Sequence, residues 1–315
     1  MESFYLYSTS FDLQTSIKIL PNYRKTVYFF FCFLAILFIE QSKGGTLMNV
    51  YDQSPYKIKM DWGIRGAREA AKRTEIIIIV DVLSFSSTVI TAVENGAIIY
   101  PFPPGQTKYA KEYANDMEAE LVIGRGEAIK TGKPSLSPFS FSEESKGRSY
   151  VLCSLNGAAC VAASKHVPAL FIGALLNAKA VAEAALSIHN KTGMPITVIA
   201  CGERWENPSH EENILRPSIE DYLGAGAIIS HLTGTLSPEA FVCSQAFVAS
   251  KDQLSSFIKD CASGRELIER GFAYDVHYCL QYNTSSIAPI LSDDCFISFY
   301  TDQKYKNSIH LFLEK

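Results

Sequence analysis

Apolar residues fall along the chain in short blocks, most of them followed by a turn and then by a run with helical spacing. The first such block, EIIIIVDV at residues 75–82, is continuous rather than alternating. That predicts a strand covered on both faces, as in the parallel sheet of an α/β protein. TVITAVENGA reads as the helix that follows, stopped by Asn95 and Gly96. AIIYPF predicts a second strand, with a helix near residues 107–118, and ELVIGRGE a short third strand; residues 128–147, rich in Ser, Pro, Gly and Lys, read as a loop. Strand, turn and helix then recur in RSYVLCS, LNG and AACVAASK, in ALFIGALL, N and AKAVAEAALSIHN, and in ITVIACG, a long polar loop and IEDYLGAGAIISHL. Such alternation predicts parallel βαβ units in a three-layer α/β/α domain. Residues 52–73 are polar, with RGAREAAKR reading as a basic helix or loop ahead of the first strand. From Ser237 the pattern is helical in PEAFVCSQAFVAS, QLSSFIKDCA and GRELIERG; YDVHYCL then reads as a short strand, and the last twenty residues carry little pattern.

The most hydrophobic stretch, VYFFFCFLAILFI at residues 27–39, follows the basic KILPNYRK. It falls short of the roughly 20 residues that span a bilayer, and EQSKGG after it offers no small-residue cleavage site. Residues 1–47 are therefore expected outside the fold, as an upstream extension from a misassigned start or as a short hydrophobic anchor. Residues 48–315, beginning at Met48, are expected to form a single domain within the usual size of one core.

Composition narrows the partners. At 47% hydrophobic and 20% charged residues the chain reads as a soluble globular protein. A formal net charge of −4 leaves no basic surplus to neutralise a phosphate backbone, which argues against nucleic acid. A membrane partner is expected only if residues 27–39 act as an anchor. The eight cysteines show no metal-ligand spacing and several sit inside apolar runs such as SYVLCSL, so they read as small buried hydrophobes in a reducing, cytoplasmic setting.

The chemistry-bearing residues cluster after strands. Ligands of open α/β sheets bind beyond the strand carboxyl ends, where Asp81 is followed by Ser84, Ser86, Ser87 and Thr88. Those hydroxyls, at a helix start with free N–H groups, suit phosphate or sulfonate oxygens, and Asp81 a hard cation such as Mg²⁺; the competing reading is a plain N-cap and turn. In SLNGAA, Asn156 and Gly157 let an amide and the backbone approach a ligand, or form a routine turn. The loop after ITVIACG brings Glu203, Arg204, Arg216, Glu220 and Asp221 towards one edge, although Ser218 and Asp221 also have capping-box spacing. Arg125 and Glu127 in IGRGEA read, taken alone, as a solvated turn. No GxxxxGK[ST] and no GxGxxG is present, so both nucleotide fingerprints fail.

Taken in order, DVLSFSSTVITAVENGA, GRGE, SLNGAA, GALLNAKAVA, VIACGERW with SIEDYLGAGAII, and GFAYDVHYCLQYNTSSIAPIL resemble the 2-phosphosulfolactate phosphatase (ComB) family over residues 50–292. The resemblance implies a three-layer α/β/α fold with a mixed, mostly parallel sheet. It also implies Mg²⁺-dependent hydrolysis of 2-phospho-3-sulfolactate to 3-sulfolactate and phosphate, and a homo-oligomer. Asp81, Ser87, Thr88, Glu127, Asn156, Gly157, Asn177, Glu220 and Asp221 fall on matching positions. Asp81, Glu127, Glu220 and Asp221 are the expected catalytic groups, with Asp81, Glu220 and Asp221 as metal ligands. Ser84, Ser86, Ser87, Thr88, Asn156, Gly157, Asn177 and Arg204 are expected to bind substrate. The chain departs from the family at Ser84, where an arginine is usual, and at Ala158, where a threonine is usual; Arg204 is expected to make up the charge. A binding protein that keeps the fold and an anion pocket without catalysis is the alternative.

Overall fold

The computed structural model describes residues 50–103, 109–206 and 214–299. The expectation for residues 1–47 lies outside the described residues, as do His210 and part of the helix expected near residues 107–118. In chain order the strands are β1 (Ile58–Trp62), β2 (Ile76–Val80), β3 (Ile98–Phe102), β4 (Glu120–Leu121), β5 (Ser149–Cys153), β6 (Ala169–Gly173), β7 (Ile196–Ala200), β8 (Glu203–Arg204), β9 (Leu215–Arg216), β10 (Pro289–Ser292) and β11 (Cys295–Ser298). The helices are α1 (Gly63–Lys72), α2 (Phe85–Glu94), α3 (Ala110–Asp116), α4 (Arg125–Thr131), α5 (Gly157–Ser164), α6 (Ala178–Thr192), α7 (Ile219–Ile229), α8 (Pro238–Ser250), α9 (Leu254–Asp260), α10 (Ala262–Glu269) and α11 (Ala273–Cys279).

Nine strands make one sheet in the order β1-β7-β2-β6-β10-β11-β3-β5-β4. The first four are parallel, β3, β5 and β4 are parallel among themselves, and the β10–β11 hairpin joins the two groups through antiparallel pairs on both sides. The expected mixed, mostly parallel sheet is therefore present. The continuous apolar run of β2 is explained by its two faces. Ile76, Ile78 and Val80 enter a core with residues of α6, α7 and α8, while Ile77 and Ile79 enter another with residues of α1, α2 and α5. Each buried branched side chain contributes roughly 1.5–3 kcal/mol, which fixes this strand at the centre of the sheet. α2 packs in the same core as Ile99 of β3, Leu152 of β5 and Phe296 of β11, so the helix that begins just beyond β2 also meets the other parallel group.

Several elements differ from the expectation. A strand, β1, precedes β2: Ile58 and Met60 are core residues, and the intervening Lys59 is buried against Glu75 at 2.6 Å, an ion pair no apolar pattern reveals. IGRGEA opens α4 where a strand end and loop were expected. YDVHYC lies in the helix α11. β10 and β11 form a hairpin through Asp293 and Asp294, both at positive φ, the backbone a tight two-residue hairpin turn requires.

Candidate active site

β2 delivers Asp81 to the start of α2, where the carboxylate is 6% exposed. Its Oδ1 accepts from the Phe85 N–H at 3.1 Å and its Oδ2 from the Gly157 N–H at 2.9 Å. The side chain thus caps α2 and binds the start of α5 together. Gly157 is required there, because a Cβ would collide with the Phe85 ring and lie 2.9 Å from Asp81 Oδ2. The hydroxyl run serves the same turn. Ser86 Oγ accepts from the Asp81 N–H at 2.9 Å, Ser87 Oγ donates to the Val82 carbonyl at 2.8 Å, and Thr88 is fully buried with no hydrogen-bond partner for its Oγ1 among the described residues. The Ser86 and Ser87 hydroxyls are thus engaged within the turn, while that of Thr88 is buried without a partner among the described residues.

Ser84 is also buried, and its Oγ accepts from Arg125 Nη2 at 2.8 Å. Arg125 Nε in turn meets Asp275 Oδ2 at 3.0 Å, and Ser137 Oγ donates to Asp275 Oδ1 at 2.6 Å. With its side chain 11% exposed, Arg125 is no solvated turn residue. It carries a guanidinium to the position where the resemblance leads one to expect arginine. Glu127, two residues on, is exposed, and no contact among the described residues joins it to Asp81. Asn177 turns to the backbone. It is fully buried, its Nδ2 donates to the Ile172 and Ile287 carbonyls and its Oδ1 accepts from the Ala174 N–H.

The other carboxylates come from the loop and helix after β7. Asp221 Oδ1 accepts from the Val82 N–H at 2.7 Å and Oδ2 from the Gly202 N–H at 2.9 Å. It ties the ends of β2 and β7 and leaves Ser218 without a capping bond, so the capping-box reading fails. Glu220 is buried and its Oε2 accepts from the Cys261 thiol at 3.2 Å. Glu203 Oε2 accepts from Asn156 Nδ2 at 2.8 Å, and Arg204 donates to the Leu155 carbonyl. SLNG and GER thus meet across the site.

Burial and mutual repulsion dominate the electrostatics. Burial pushes the Asp81 carboxyl up to about 6, helped by the charge of Glu220 and opposed by the Phe85 and Gly157 N–H groups. Burial and then the charge of Asp81 push Glu203 up to about 7, against the bond from Asn156 and the charge of Arg216. Asp221 is held well above the usual carboxylate range by burial and by Asp81 and Glu220. Groups so perturbed at a cleft mark a candidate reactive site, though buried structural networks shift carboxyls in the same way.

A divalent cation suits that surplus of negative charge. Asp221 gives each oxygen to one backbone N–H, leaving a second lone pair on each, and Glu220 Oε1 has no hydrogen-bond partner among the described residues, while Asp81 accepts from Ser154 as well as from two backbone N–H groups. Yet among the described residues no three His, Cys, Asp or Glu side chains converge as a ligand set, so the expected trio Asp81, Glu220 and Asp221 does not form a closed metal cage. A hard cation held by only one or two carboxylates, with water and substrate supplying its remaining oxygens, needs no such cage.

Beside the carboxylates lies a cleft of about 400 Å³ lined by Arg65, Arg68, Asn156, Glu203 and Arg204 over an apolar floor that includes Cys160 and Cys201. Arg65 and Arg68 were not singled out from sequence, although their spacing within RGAREAAKR places them on one helix face. Glu203 stood in the charged loop with nothing to rank it above its neighbours.

Comparison with known proteins agrees with this geometry. The family model described as 2-phosphosulpholactate phosphatase matches residues 65–294. The chain is 28% identical over 233 residues to a probable 2-phosphosulfolactate phosphatase of Pseudothermotoga lettingae, covering 73% of this chain and 95% of the relative. It is 30% identical over 220 residues to the protein of the same name from Carboxydothermus hydrogenoformans, covering 68% and 84%. A Clostridium tetani relative so named is 25% identical over 228 residues, covering 70% and 91%. No helix among the described residues is long and apolar enough to cross a membrane. A match spanning most of the domain, on a mixed sheet whose β2 carboxyl end carries the buried Asp81, places the chain in the 2-phosphosulfolactate phosphatase family.

Proposed function

We propose that the protein hydrolyses a small anionic phosphate monoester, with 2-phospho-3-sulfolactate as the substrate its relatives' names suggest, and that it does so with Mg²⁺. The observation that carries this reading is the cluster of buried Asp81, Glu220 and Asp221 with half-buried Glu203 beside an arginine-lined cleft. When bound, Mg²⁺ would neutralise charge on the phosphoryl oxygens, with Asp81 and Glu220 as its protein ligands. Asp221, spanning two strand ends, acts as the brace of the site. Asn156, the Gly157 turn and Arg204 position anionic oxygens of the substrate. Both Asp81 oxygens already accept N–H donors, which blunts them as nucleophiles and favours water as the attacking group.

As water attacks phosphorus, the bond from phosphorus to the ester oxygen breaks and its electron pair passes to that oxygen, which needs a proton. Glu203, with a carboxyl pushed up to about 7, is partly protonated at neutrality and can donate it. Asn156 holds the side chain in place for that transfer. The test is phosphate release from a panel of phosphorylated small acids, including 2-phosphosulfolactate, with Mg²⁺ and with chelator, beside Asp81→Asn. Metal-dependent release that disappears in the variant supports hydrolysis. A folded protein that binds these acids and releases no phosphate would favour the non-catalytic anion binder.

A further inference from the structure

The carboxylates take up one end of the site, and the cleft's arginines stand apart from them. Arg65 and Arg68 lie three residues apart on α1, and both line the cleft with Arg204. Arg65 gives its Nε to Glu69 Oε1 at 2.7 Å, and its terminal nitrogens donate to nothing among the described residues. Arg68 is exposed and has no acidic partner among them. Arg204 is anchored through Nη2 to the Leu155 carbonyl, the residue before Asn156. Against these three cations the cleft wall offers one carboxylate, Glu203. The cleft adjoins the Asp81 turn through Asn156 and Gly157, whose N–H binds Asp81. A phosphoryl group seated by Asp81 would therefore place the rest of the substrate along the arginine rim.

We infer that Arg65 and Arg68, with Arg204, form a second anion subsite that takes a carboxylate or sulfonate group carried by the substrate a few bonds from its phosphate. This rests on the phosphatase reading and deepens it. The proposed substrate already carries such a second acid, and Arg65 and Arg68 are the residues assigned to it. Guanidinium groups pair with planar or tetrahedral oxyanions through two parallel N–H donors, a geometry a lysine rim would not offer.

The experiment compares O-phospholactate with O-phospholactamide, which differ only in the charge of the second group, in the wild type and in Arg65→Gln, Arg68→Gln and the double variant. The wild type is expected to favour the acid, and each substitution to cut the acid-to-amide ratio of kcat/KM roughly tenfold, mainly through KM, as expected for loss of one charge-assisted hydrogen bond. An unchanged ratio, or equal loss on both esters, overturns the subsite. A calorimetric arm with 3-sulfolactate separates the two proposals. Weaker binding in the double variant sustains the subsite even if neither ester is hydrolysed, whereas equal affinity in wild type and variant removes it whatever the activity. Both side chains are exposed helix residues, so folding of the variants is readily verified by circular dichroism.

Discussion

Replacing Glu203 by Gln keeps the shape of the side chain and an oxygen to accept from Asn156 Nδ2 while removing its charge. In the folded protein that carboxyl titrates near 7 rather than at its ordinary 4.5, for reasons that face it directly: burial, then the charges of Asp81 and Glu220, opposed by Asn156 and Arg216. Between those two pH values the folded state keeps a proton that the unfolded chain has released, so stability falls as pH rises through the window. At 1.36 kcal/mol per pH unit the cost accumulates to roughly 3 kcal/mol by pH 8. Glu203→Gln escapes it. The variant should match the wild type near pH 4.5, gain about 0.5 kcal/mol by pH 5, and exceed it by up to about 3 kcal/mol at pH 8. Urea unfolding at pH 5 and pH 8, with equal m-values for the two proteins, reads the difference. The same offset at both pH values, or a less stable variant at pH 8, would refute the reasoning. The gain in stability should come with a loss of kcat on alkyl phosphates of about 10² to 10⁴, the usual contribution of a positioned acid.

Gly157→Ala should destabilise the fold by about 1–3 kcal/mol through overpacking against Phe85, measured by thermal unfolding, and should lower activity because the Asp81 contact is displaced. Removing Asp275 leaves Arg125 buried without its partner, so Asp275→Ala is expected to cost roughly 3–5 kcal/mol. A double-mutant cycle with Arg125→Met should recover much of that loss, and additive effects would show the pair to be independent. Asp221→Asn puts an amide N–H opposite the Val82 or Gly202 N–H. It should lose stability at pH 8 by about 1–3 kcal/mol from the unmatched donors, offset in part by the removed repulsion. Chelation of Mg²⁺ is expected to abolish phosphate release, with activity restored on adding the metal back and no change in far-ultraviolet circular dichroism.

Much of the sheet was legible because its central strands obey simple rules. β2, β6 and β7 are apolar on both faces, and the helices after them show their period plainly. β1 was hidden because Lys59 interrupts it, and its burial depends on Glu75, which lies just ahead of β2 on the far side of β7, a pairing that exists only once the sheet has formed. β10 and β11 are too short to stand out, and their turn uses two aspartates where Asn-Gly would have announced it. At the site, Asp81, Asn156, Gly157, Glu220 and Asp221 were visible as polar or glycine residues in the turns and helix starts that follow strands. Their division of labour was not. Whether a hydroxyl faces ligand or backbone, as at Ser86 and Ser87, is decided by rotamers and neighbouring carbonyls rather than by residue type. Arg125 looked like a surface residue because its partner Asp275 lies 150 residues away.

The β10–β11 hairpin has a consequence for how the protein is made. It supplies the hydrogen-bonded link between β6 and β3, so the two parallel groups share no backbone ladder until residues 289–298 have left the ribosome. Until then β6 and β3 each present an open edge able to pair with another chain. A nascent or prematurely terminated product ending before Pro289 would therefore carry its carboxylates and arginines with two adhesive edges exposed, and chaperone capture should be concentrated in the interval before the hairpin emerges.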